Sequence, residues 1–204
     1  MIEAGIATAL GLAVAAGFNA WATALVFGLC ARVFPDLLGG PIAAFFASGP
    51  ILTMAAALFA AEFLADKIPF LDHFWDFAHT FLRPAAGAAL AAACLPAHPP
   101  LARLAAAAAG GFVTLAAHMG KAATRLSSTA AVSGVTRMAL SIAEDVVAVS
   151  VAAVAIFSPG LSIAVVGAVL ILIVLLFGRI RRAAAILFFL AAHPREALRA
   201  SKEA

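Results

Sequence analysis

Long apolar runs interrupted by short turn signals set the layout of this chain. Six stretches, roughly 4–31, 42–65, 80–97, 101–120, 137–157 and 160–178, are almost wholly apolar. Each approaches the ~20 residues, at ~1.5 Å rise apiece, that a membrane-spanning helix needs. The turn-bearing sequence "FPDLLGGP" closes the first run, "LPAHPP" the third and "SPG" the fifth. A charged stretch divides the second from the third, and "RLSSTAAVSG" divides the fourth from the fifth. The pattern predicts an all-α integral membrane protein with six transmembrane helices. The third span is short at its charged end, so its first turns are expected at the interface or lining a cavity.

After position 178 comes "RIRRAAAILFFLAAHPREALRASKEA". Its apolar run, 183–192, is too short to span and is flanked by basic residues. It reads as a C-terminal interfacial helix on an anionic inner leaflet, or as a solvated tail that only sets topology. The two halves of the chain also echo each other. "AGFNAWAT" resembles "HMGKAATR", pairing Asn19 with Lys121, and "AAEFLAD" resembles "IAEDVVA", pairing Glu62 with Glu144. With three helices per half, the second half would insert upside down, as inverted repeats do in secondary transporters. The division expected is a first repeat over 1–100, a second over 101–178 and a basic tail over 179–204.

Composition narrows the class. Apolar residues make up 65% of the 204 and charged ones 11%, against about 25% charged in soluble domains, which leaves the membrane as the natural solvent. The isoelectric point near 9.4 does not signal nucleic acid, because the arginines bunch at the C-terminus without interleaved aromatics. Basic residues instead set orientation. With both termini cytoplasmic, eleven of the thirteen Lys and Arg fall on the inner side and only Arg32 and Arg103 outside. The opening residues lack a basic n-region, so the first run is expected to be a retained helix. Cys30 and Cys94 sit in apolar runs and read as small hydrophobes.

Ionisable residues then stand out against this background. Asp72, Asp76, His79 and Arg83 fall at i, i+4, i+7 and i+11, one stripe of a helix. Thr114, His118, Lys121 and Arg125 repeat that spacing; Glu62 and Asp66 are i, i+4; Arg137 and Ser141 lead to Glu144 and Asp145. Asn19 and Thr23 form a milder polar pair. A charge on a spanning helix costs about 2.5–3.5 kcal/mol on insertion scales, so each asks for a partner or water. The near balance of acids and bases is what a buried or water-lined network needs, as one site or two, with the charged segment expected to face its counterpart across the bundle toward the cytoplasmic ends of the helices. Lys67, Asp72, His73 and Arg137 read better as surface loop charges, and Trp75 as an interfacial anchor rather than a ligand contact. Gly11, Gly17, Gly87, Gly110 and Gly111 permit close approach, either of a neighbouring helix or of a substrate.

The segments "EFLADKIP", "WDFAHTFLRPAAG", "HMGKAATR" and "SIAED", in that order, resemble an uncharacterised family of small bacterial inner-membrane proteins, a domain of unknown function. The resemblance covers most of residues 5–178. It implies a multi-helix protein of the bacterial inner membrane and supplies no substrate. It marks Glu62, Asp66, Lys67, Asp76, His79, Arg83, His118, Lys121, Arg125, Glu144 and Asp145.

The leading functional expectation is a small secondary transporter, coupled to protons or a cation and moving an anionic small molecule or lipid head group. Glu62, Asp66, Asp76, Glu144 and Asp145 would serve as coupling acids. Asn19, His79, Arg83, His118, Lys121 and Arg125 would bind the substrate, with Arg offering a planar bidentate fork. The alternatives are a divalent or transition-metal carrier, with Asp72, Asp76 and His79 as candidate ligands, and a non-catalytic scaffold. No G-x-S-x-G elbow, H-E-x-x-H motif or P-loop is present, so an enzyme is not expected. No cofactor is expected. The partners are the bilayer and a small anion or ion, with a homodimer compatible with so small a bundle.

Overall fold

A computed structural model describes residues 2–65, 71–128 and 134–192, all helix apart from short connections. Among these described residues eight helices follow in order: α1 (Ile2–Phe18), α2 (Ala20–Val33), α3 (Pro41–Ala47), α4 (Gly49–Ala65), α5 (Leu71–Ala93), α6 (Pro100–Ser128), α7 (Gly134–Phe157) and α8 (Pro159–Ala192). Proline opens α3, α6 and α8, where its missing N–H is an orphan in any case and its fixed φ suits the first turn.

The six expected segments are helical, but four are built differently from the simple spans the pattern suggested. The first is two helices interrupted at Asn19. The second is α3 and α4, bent by 61° at Ser48. The third begins at Leu71, so most of the charged stretch before it is helical. The sixth does not stop near Gly178. α8 runs on to Ala192 and takes in the start of the expected tail, because nothing between 178 and 192 breaks a helix: no proline occurs before Pro194. By length and composition, two helices among the described residues can cross a membrane, Pro100–Ala122 and Met138–Phe157, or three if the bent α3–α4 pair counts as one span.

α1 is the hub. It packs against α5, α6, α7 and α8, and every residue from Gly11 to Gly17 is buried. A helix rich in Ala and Gly can be surrounded in this way because neighbouring backbones come close. At Gly17 an added Cβ would lie 2.4 Å from the Ala117 Cβ and 2.8 Å from the Thr114 carbonyl. At Gly87 it would lie 1.8 Å from Thr114 Oγ1. Both glycines therefore serve helix packing. The larger apolar cluster includes Leu12, Phe27, Leu90 and Ile156, all buried.

Candidate functional site

The site grows out of the break between α1 and α2. Asn19 is extended (φ −150°, ψ 108°), and its side-chain Oδ1 accepts the Ala22 N–H at 2.9 Å. In an unbroken helix that N–H would go to the Phe18 carbonyl, and the Trp21 N–H to the Gly17 carbonyl. The Asn19 cap replaces this register, as Asn side chains do when they compete with the backbone. The Gly17 and Phe18 main-chain oxygens are thereby released inside the bundle. Each such group costs several kcal/mol if left bare in an apolar medium.

Both oxygens are taken by cations. Arg83 Nη1, from α5, donates to the Gly17 carbonyl at 3.2 Å. Lys121 Nζ, from α6, donates to the Phe18 carbonyl at 2.9 Å. The C-terminal end of a helix carries about half a negative charge, so the cations sit where the field favours them. The other side of the break is the N-terminus of α2, which favours an acid. Asp145 of α7 is there, its Oδ1 accepting from Asn19 Nδ2 at 2.9 Å. Two residues on, Trp21 Nε1 donates to His79 Nε2 at 3.0 Å. Four positions in five, 17, 18, 19 and 21, are thus each held by a different ionisable side chain.

A second layer fixes the cations. Glu62, buried on α4, accepts from Arg83 Nη2 at 2.5 Å; both residues are 0% exposed. Arg83 Nη1 also meets His118 Nδ1 at 2.5 Å, and His118 Nε2 lies 3.2 Å from Thr80 Oγ1. Guanidinium only donates, so His118 Nδ1 accepts and its proton sits on Nε2, pointing to Thr80. Indole likewise only donates, so His79 carries its proton on Nδ1. Glu62 Oε2 lies 3.6 Å from His79 Nε2 without a hydrogen bond. On the opposite flank Lys121 Nζ is 3.2 Å from Glu144 Oε2. Pro84, which follows Arg83 inside α5, cannot donate to the Thr80 carbonyl, so the helix is weakened at the residues that line the site.

The structure therefore gathers Asn19, Glu62, His79, Arg83, His118, Lys121, Glu144 and Asp145 around one helix break. Asp66 lies outside the described residues, as do the side chains of Asp72, Asp76 and Arg125. Among the described residues no three His, Cys, Asp or Glu side chains converge as a metal-ligating group. Sequence reasoning passed over Trp21 and Thr80, and over the carbonyls of Gly17 and Phe18. A usable signal was present: an Asn inside an otherwise apolar helix is a cap residue, and a cap there implies released carbonyls nearby.

Comparison with known proteins places the chain in a family. The chain belongs to the family described as Domain of unknown function (DUF4126), whose family model matches residues 6–179. No curated protein and no solved structure matches it.

Proposed function

We propose that the chain is a small secondary transporter of the bacterial inner membrane, with six spans in two inverted repeats and both termini cytoplasmic. It would couple proton movement to an anionic small molecule or lipid head group. The observation that carries this reading is the interrupted first helix, whose two ends face buried charges of complementary sign. Discontinuous helices with half-helix ends at a central site are the recurring way secondary transporters bind ions and substrates.

The chemistry follows from the Glu62–Arg83 pair. With Glu62 ionised, the guanidinium is committed to its carboxylate. A proton on Glu62 removes the charge that holds Arg83, and the fork becomes available to a carboxylate or phosphate oxygen. Anion and proton would then be bound together and released together. His118, which accepts from the same guanidinium, keeps the fork oriented while its partner changes.

The test is flux. Purified protein in liposomes holding a pH-sensitive dye should acidify the lumen when an inward gradient of the right phosphate or carboxylate is imposed. Folded Glu62→Gln should lose that coupling. Proton flux unchanged by every anion in such a panel, or unchanged in Glu62→Gln, would sink the reading. A scaffold is the second reading, favoured by the partners that Glu62, Arg83, His118, Lys121 and Asp145 each meet within the bundle.

A further inference from the structure

We infer that the Phe18 carbonyl and the Glu144 carboxylate form a monovalent-cation site, and that the Lys121 ammonium is its resident, covalently tethered cation. Lys121 Nζ stands 2.9 Å from the Phe18 oxygen and 3.2 Å from Glu144 Oε2, on a side chain 1% exposed. The oxygens around it are those a hard cation would choose. One is a carbonyl released by the end of a half-helix, in the negative field of that end. The other is a full carboxylate. Asn19 and Asp145, next in sequence to Phe18 and Glu144, are joined to each other at 2.9 Å and bring the same two elements together one residue on.

A lysine in this position supplies unit positive charge without requiring a free ion. It has a geometric consequence. Truncating the side chain at Cβ removes the charge but keeps the oxygens, and the emptied stem leaves room for a small cation with water to complete its shell. Lys121 therefore acts as a built-in counter-ion rather than as a donor to an anionic substrate. Within the transporter reading, and resting on it, this makes the proton rather than sodium the coupling ion. The site itself stands on geometry and does not need transport.

Thermal unfolding of the purified full chain in detergent tests the site, in sodium chloride against choline chloride at equal ionic strength. The wild-type midpoint should be the same in both salts. Lys121→Ala should be destabilised in choline and regain about 4 °C or more in sodium, with a saturable dose dependence. Lys121→Met, which fills the space with an uncharged chain, should show no regain. Lys121→Ala combined with Glu144→Gln should also show none, because the carboxylate is gone. A Lys121→Ala protein that folds but ignores sodium overturns the inference. So does an equal sodium response in Lys121→Met or wild type. If Lys121→Ala cannot be recovered folded even in sodium while the double variant can, the supplied ion has failed to replace the ammonium, and the inference is again overturned. None of these outcomes depends on flux, so failure of the site and failure of the transporter reading remain separable.

Discussion

Asn19 donates its side-chain amide to Asp145 at 2.9 Å, tying the break in the first helix to α7 across 126 positions of sequence. The same residue caps α2 through its Oδ1. Asn19→Ala loses both bonds, a cap worth about 1 kcal/mol and a hydrogen bond to a charged group worth about 1.5–3 kcal/mol. Asn19→Ser should recover only the cap share. Asn19→Asp keeps the cap but sets a second carboxylate against Asp145. Its stability should be low at neutral pH and recover as pH falls, when one carboxyl takes a proton and donates to the other. Thermal unfolding of the three variants at pH 5 and pH 7.5 checks all of this.

The Glu62–Arg83 pair predicts an asymmetry between single and double substitutions. Removing one partner leaves a buried charge uncompensated, and Glu62→Leu or Arg83→Leu alone should cost about 3–5 kcal/mol. The double leucine variant should recover much of that loss. If the pair serves transport, the recovered protein is inactive in the liposome assay. A double variant that is both stable and active would assign the pair to folding alone.

Trp21 predicts a spectroscopic signature. Its indole N–H requires a lone pair on His79 Nε2, which places the ring proton on Nδ1. Nitrogen-15 chemical shifts of His79 should report that tautomer in the wild type. In Trp21→Phe, which keeps an aromatic ring but no donor, the preference should weaken, with a stability loss of about 1 kcal/mol. An unchanged tautomer in Trp21→Phe would show that another contact of His79 sets it.

Two glycines should respond in opposite ways. Gly17→Ala drives a methyl to 2.4 Å from the Ala117 Cβ, so α1 and α6 must separate. A loss of about 1–3 kcal/mol is expected. Gly167, inside the N-terminal third of α8, has nothing within 4 Å of an added Cβ. Gly167→Ala should be neutral or stabilising by up to about 1 kcal/mol, from helix propensity alone. Melting temperatures of the two variants side by side give the comparison.

Much of the site could be read from residues whose type contradicts their surroundings. Glu62, His118, Lys121, Glu144 and Asp145 interrupt apolar runs, and the cost of burying them implied that they would meet. The stripe ending in His79 and Arg83 gave away the helix that α5 extends back to Leu71. The path of the backbone was less legible. By hydropathy Asn19 is a polar member of a continuous span, one unfavourable residue among many favourable ones. Its real effect is to take over a hydrogen bond, which no hydropathy sum contains. After Gly178 the arginines mark the expected limit of the span, while the helix itself continues to Ala192. Charge places a segment relative to a membrane, but helix termination needs a breaker, and α8 has none until Pro194.

The hub helix is made before the helices that complete it. Along α1, the carbonyls of Ala7, Ala13, Gly17 and Phe18 accept from Ser162, Thr114, Arg83 and Lys121 respectively. None of those donors exists when a ribosome releases α1. Each emerges later, from α5, α6 and then α8, and the last lies 155 positions downstream. A nascent chain stopped before α8 therefore carries an incompletely clothed centre, however apolar its sequence. Assembly of this bundle is a process of enclosing an earlier helix with later ones. Truncated products should accordingly be prone to degradation in the cell, more so than their hydrophobicity alone would suggest.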